Sequence, residues 1–134
     1  MLMYKLVNRR AIPCPDPFEW TAWFSSTDRR VAETQIDDVR ISTIFLGFFY
    51  PPPDPVDPYL FETVVFVGDL PHYGRRYFIW EEAEIGHAEI LHLMRSEMTT
   101  TGLAAPRAWA AVAKRLNLER LHPMLHYGNF GVNL

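Results

Sequence analysis

The sequence predicts one α+β domain over residues 1–134: a small, mainly antiparallel sheet of four to five strands packed against two or three helices. Two observations carry that expectation. Between residues 39 and 67 the side chains alternate as in strands, interrupted by a proline-rich stretch; from Trp80 the apolar period becomes helical. Hydrophobic residues make up 49% of the chain and aromatics 14%, ample for one core and incompatible with disorder through lack of apolar material.

Residues 1–12 read as an opening strand with Tyr4, Leu6 and Val7 facing inward, folded into a hairpin if Asn8-Arg9-Arg10 is a turn. Pro13, Pro15 and Pro17 then end regular pairing, because proline donates no ladder hydrogen bond. Asp16-Pro17-Phe18-Glu19 is a helix start: an acceptor at the cap, proline at the first position and a capping-box glutamate. Trp20, Trp23 and Phe24 follow on one face and are expected to face the core in preference to forming a functional aromatic platform, with the helix ending near residues 25–27. Residues 30–36 suit an edge strand, and Asp37-Asp38 a turn.

Residues 39–50 form the strongest strand pattern, with Val39, Ile41, Thr43 and Phe45 alternating against Arg40, Ser42 and Ile44. Eight residues, Pro51-Pro52-Pro53-Asp54-Pro55-Val56-Asp57-Pro58, must then be an irregular loop. Its stiffness lowers the entropy lost when something binds it. Residues 60–67 are the partner strand, where Glu62 implies an edge position or an ion pair first and a functional carboxylate second. Residues 68–74 read as a loop holding His72 and Tyr73, and 75–79 as a short strand. The helix from Trp80 to about Met98 turns Trp80, Ala83, His87, Ile90 or Leu91, and Met94 inward, and Glu81, Glu82 and Glu84 complement the macrodipole at its start. A last helix is expected over residues 107–116, with Trp109, Val112, Ala113 and Leu116 as its apolar face and Asn117 as its stop. Residues 118–134 read as irregular.

Composition narrows the function classes. A net charge of −3, with basic residues in isolated pairs (Arg9-Arg10, Arg29-Arg30, Arg75-Arg76), disfavours nucleic acid and anionic membranes as partners. The single cysteine, Cys14, excludes an internal disulfide, and with no signal-like leader and no bilayer-length apolar run the expected location is the cytoplasm. Glu84 and His87, at i and i+3 on one helix, are the candidate metal ligands, although His92 lies a third of a turn away and no second pair completes a site. No nucleophile elbow and no glycine-rich phosphate loop is present, and no cofactor is called for.

Three segments carry a resemblance: Ile41-Ser42-Thr43-Ile44-Phe45-Leu46-Gly47, Leu60-Phe61-Glu62-Thr63-Val64-Val65-Phe66, and Trp80-Glu81-Glu82-Ala83-Glu84-Ile85-Gly86-His87. In this order they resemble a group of small bacteriophage and prophage proteins, over about residues 39–92. In that group Ser or Thr often precedes the tryptophan as a helix cap; here Ile79 stands there. The resemblance implies a phage-derived accessory protein in a bacterial host cytoplasm, and no known activity. The leading expectation is therefore a non-enzymatic protein that binds another protein, as an anti-defence or host-takeover factor. The alternatives are a virion structural or assembly component, or a metal-dependent enzyme using Glu84 and His87. Pro52, Pro53, Asp54 and Pro55, with His72 and Tyr73, are the expected contact residues, and self-association is compatible with the sequence.

Overall fold

Four tight reversals organise the chain, and each has a local cause. Asn8 and Arg9 both adopt positive φ, which closes β1 (Leu2–Val7) onto β2 (Arg10–Pro13) with Val7 opposite Arg10. Asp37, at φ 50°, turns β3 (Arg30–Ile36) into β4 (Val39–Phe45). Gly68, at φ 61°, joins β6 (Phe61–Val67) to β7 (Leu70–Tyr77). Gly47, at φ 83°, bends the chain after β4 so that β5 (Phe48–Phe49) leaves the sheet and pairs with β1. The Phe24 ring lies 3.2 Å from where a Gly47 Cβ would stand, so both the backbone and the packing favour glycine.

A computed structural model describes residues 1–120 of the chain. Its strands form two antiparallel sheets, β2-β1-β5 and β3-β4-β6-β7. The α+β class holds, but the expected sheet of four to five strands is two sheets with seven strands. Gly47 is the reason: it splits the single strand expected over residues 39–50 into β4 and β5. The second difference lies at residues 68–74, expected as a loop. Only Gly68 and Asp69 turn; residues 70–77 form edge strand β7, with a bulge at His72 between the Val65–Tyr73 and Phe66–Pro71 pairs. The proline at 71 and glycine at 74 hid this strand, being the residue types that normally mark loops.

Three helices complete the fold: α1 (Pro17–Ser26), α2 (Trp80–Thr101) and α3 (Ala105–Arg120). Asp16 caps α1 by accepting from the Phe18 and Glu19 amides. Trp20, Trp23 and Phe24 on α1 are half-buried, and Trp20 Nε1 donates to the Tyr4 and Gly47 carbonyls, which ties α1 to the hinge between the sheets. Gly102, at φ 72°, ends α2, its amide returning to the Met98 carbonyl. Asn117 does not stop α3, which continues to Arg120. The rest of the segment expected to be irregular, residues 121–134, lies outside the described residues.

The inward face of β3-β4-β6-β7 packs in two apolar clusters, the first against α2 and α3 and the second against the start of α2 with α1 and β1 beside it. One joins Val39, Ile41, Val65 and Tyr73 of the sheet to Ile90 and Met94 of α2 and Trp109 and Val112 of α3. The other joins Phe45, Leu60, Phe61, Tyr77 and Ala83, with Tyr4, Trp23 and Trp80 against it. Between them lies a transverse layer of hydroxyls and one imidazole.

Candidate functional site

That polar layer gathers chemistry-bearing residues from four strands and a helix. The two-residue period of β4 places Thr43 between Ile41 and Phe45; that of β6 places Thr63, its cross-strand partner, between Phe61 and Val65. Both threonines are fully buried. Thr43 Oγ1 bonds His87 Nδ1 at 2.7 Å and Thr63 Oγ1 at 2.6 Å; Thr63 Oγ1 reaches Tyr77 Oη at 3.0 Å. Thr34 on β3 bonds the other ring nitrogen, His87 Nε2, at 3.0 Å. A neutral imidazole donates through one nitrogen and accepts through the other, so the Thr34 and Thr43 hydroxyls point in opposite senses along the chain. Burial lowers the His87 pKa, and among the described residues only hydroxyls bond the ring. The layer thus holds a neutral histidine as a sheet-to-helix link. Gly86 makes this possible: a Cβ there would overlap the Tyr77 phenol, so glycine lets α2 approach β7.

The candidate metal pair is separated in role. His87 is 5% exposed with both ring nitrogens engaged, whereas Glu84 is exposed and accepts from Trp80 Nε1 at 2.6 Å. No cluster of three or more His, Cys, Asp or Glu side chains suited to a metal occurs among the described residues. Ile79 offers no side-chain cap to α2, and Glu82 instead reaches back to accept from the Phe78 and Ile79 amides.

Glu62 lies on an inner strand and not at an edge, 4% exposed, with Arg76 Nε 2.8 Å from Oε2. Burial raises its pKa, and the Arg76 hydrogen bond and charge oppose that rise. Arg76 also lines a cavity of about 480 Å³ whose other walls are Leu46, Phe48, Phe49, Tyr50, Tyr59 and the loop residues Pro52, Asp54 and Val56. The proline-rich segment is irregular, as expected, and lies against this hollow on one side. Tyr59 stacks on Phe78 with centroids 4.3 Å apart, fixing its far end. On the other side Asp57 and Pro58 line a second cavity of about 610 Å³, bounded by the β1–β2 turn and the start of α2.

Of the expected contact residues, Pro52 and Asp54 line the first cavity, and Pro53 and Pro55 are exposed in the same loop. His72 is half-buried in the β7 bulge. Tyr73 faces inward with no exposed surface, packed edge-on against Trp109, so it offers nothing to a partner. Sequence reasoning missed Phe48, Tyr50, Tyr59 and Arg76 as cavity walls; the aromatics flanking the prolines were the available signal.

Compared with protein-family models, curated proteins and solved structures, the chain matches none. No helix among the described residues is long and apolar enough to cross a membrane.

Proposed function

We propose that this is a non-enzymatic binding protein that engages another protein through the cavity beside the proline-rich loop. The carrying observation is the character of that cavity. Aromatic and apolar residues make most of its wall, beside Asp54 and Arg76, and Tyr50 and Val56, at 68% and 51% exposure, hold apolar surface in solvent at its rim. Successive prolines restrict the loop before any partner arrives, which reduces the ordering cost of association. The buried titratable groups have structural employment, His87 in the hydroxyl layer and Glu62 with Arg76, and exposed Glu84 is held by Trp80. The partner is read as a protein presenting an apolar side chain to the cavity. The resemblance of residues 39–92 to phage and prophage proteins supports an accessory, host-directed role in a bacterial cytoplasm.

Position-specific photocrosslinking tests this reading. A benzophenone amino acid replacing Tyr50 should yield one saturable adduct in bacterial lysate, absent when it replaces exposed Lys114. The captured protein, purified, should bind the wild-type chain and fail to bind a Tyr50→Asp/Val56→Ser variant of unchanged stability. Equal labelling from both positions, or equal affinity for the variant, would remove the support for this site.

A further inference from the structure

The second cavity has a different chemistry. We propose that it binds a zwitterion carrying an apolar side chain: a free apolar amino acid or a short peptide. Its apolar wall is formed by Tyr4, Leu60, Phe61 and Trp80, with Phe78 and Ile79 exposed at the rim. Its volume of about 610 Å³ lies within the ~300–1,000 Å³ typical of small-molecule sites.

Four charged residues line this space. Arg9 and Arg10 come from the hairpin turn, Asp57 from the proline-rich loop and Glu81 from the first turn of α2. Among the described residues none of these four makes a salt bridge within 4.0 Å, although two cations and two anions share one cavity. Opposite charges that share a cleft without pairing match a ligand carrying both signs, with its carboxylate on the arginines and its ammonium on the acids. An anion alone would leave Asp57 and Glu81 uncompensated beside it, and a cation alone would do the same for the arginines.

The turn supports the assignment independently. Two-residue turns with positive φ at both positions favour Asn followed by Gly, and Asn8 fits the first. The second is Arg9, at φ 66°, where a side chain is strained. That strained backbone holds the Arg9 guanidinium 5.2 Å from the centroid of the Trp80 ring, at the cavity wall. Strain kept at a position whose side chain lines a cleft is characteristic of binding sites. This site shares only the loop with the cavity proposed to receive a protein, and does not rest on that reading.

Calorimetric titration of the full chain with L-phenylalanine, 3-phenylpropionate and phenethylamine tests it, with amide chemical shifts locating the site. L-Phenylalanine should bind about tenfold or more tighter than either singly charged analogue, from one additional charge-assisted contact. The shifts should centre on residues 9–11 and 78–81. Arg9→Ala/Arg10→Ala should reduce L-phenylalanine to the affinity of phenethylamine, and Asp57→Asn/Glu81→Gln to that of 3-phenylpropionate. Circular dichroism verifies that each variant is folded; these positions are exposed, and Arg10→Gln with Glu81→Gln as single changes replace any variant that is not. The proposal is overturned if L-phenylalanine gives no saturable shift up to its solubility limit, if either analogue binds as tightly, or if folded variants bind unchanged.

Discussion

Gly86→Ala isolates the close approach between α2 and β7. The added methyl would coincide with Tyr77 Oη, Cε1 and Cζ, all nearest neighbours of that position. Tyr77 is 7% exposed and its hydroxyl is held by Thr63, so the ring cannot move without breaking the end of the hydroxyl chain. Overpacking of a dense core costs about 1–3 kcal/mol, and losing a buried hydrogen bond adds about 1 kcal/mol. Alanine in a helix interior recovers about 1 kcal/mol relative to glycine. The expected net loss is about 1–3 kcal/mol, read as a lower urea midpoint at unchanged slope. Tyr77→Phe removes the nearest clashing atom, so Gly86→Ala should cost less in that background, a coupling a double-mutant cycle measures. A Gly86→Ala protein as stable as the parent, or additive behaviour in the cycle, would refute the packing argument.

Further outcomes follow from the buried groups. His87 titrates at a lower pH folded than its ordinary value of 6.5, so below about pH 6.5 the unfolded chain takes up the proton first. Stability should fall as pH drops from there through the folded pKa, and thermal scans of a folded His87→Asn variant should lose that part of the slope. Arg76→Met leaves the Glu62 carboxylate buried without its guanidinium, a loss of about 1–3 kcal/mol at neutral pH, below the 3–5 of a fully buried pair because Arg76 is partly exposed. The Glu62 pKa is raised, so acidification protonates the orphaned group and the variant's deficit should narrow, measured as urea midpoints against pH. Cys14 is 2% exposed, and burial together with the Glu19 carboxylate raises its pKa, so its native-state reaction with an aromatic disulfide should be far slower than after unfolding.

Elements with one dominant local signal were legible in the sequence. The Asp16-Pro17 start, the alternation of β4 and β6, and the α2 stripe through Ala83, His87, Ile90 and Met94 all stand where their patterns put them. Misreadings arose where backbone geometry outweighed composition. Gly47 reads as one small residue in an apolar run, yet its positive φ sends Phe48 and Phe49 into another sheet. Pro71 and Gly74 suggest a loop, yet at a sheet edge with a bulge both are tolerated. Tyr73 illustrates the consequence: placed in a loop it reads as a contact residue, but in β7 the two-residue period turns it into the core. The cavities could not be read at all, because their walls come from segments far apart in sequence, such as Arg76 opposite residues 46–59.

The segments 41–47, 60–66 and 80–87 converge in space. Phe45, Phe61 and Ala83 belong to one apolar cluster; Thr43, Thr63 and His87 bond one another; Gly86 admits the Tyr77 that ends their chain; Glu82 caps the helix from which His87 projects. Each of these residues has a mechanical reason for its identity. They build a scaffold, and a buried, bonded layer of hydroxyls tends to specify one packing of sheet on helix. A scaffold of this kind leaves its loops free to differ in use. Here the stiff segment from Pro51 to Tyr59 stands between two hollows of unlike chemistry, one walled largely by aromatics and one lined with charges of both signs. Binding function is therefore to be sought at that loop.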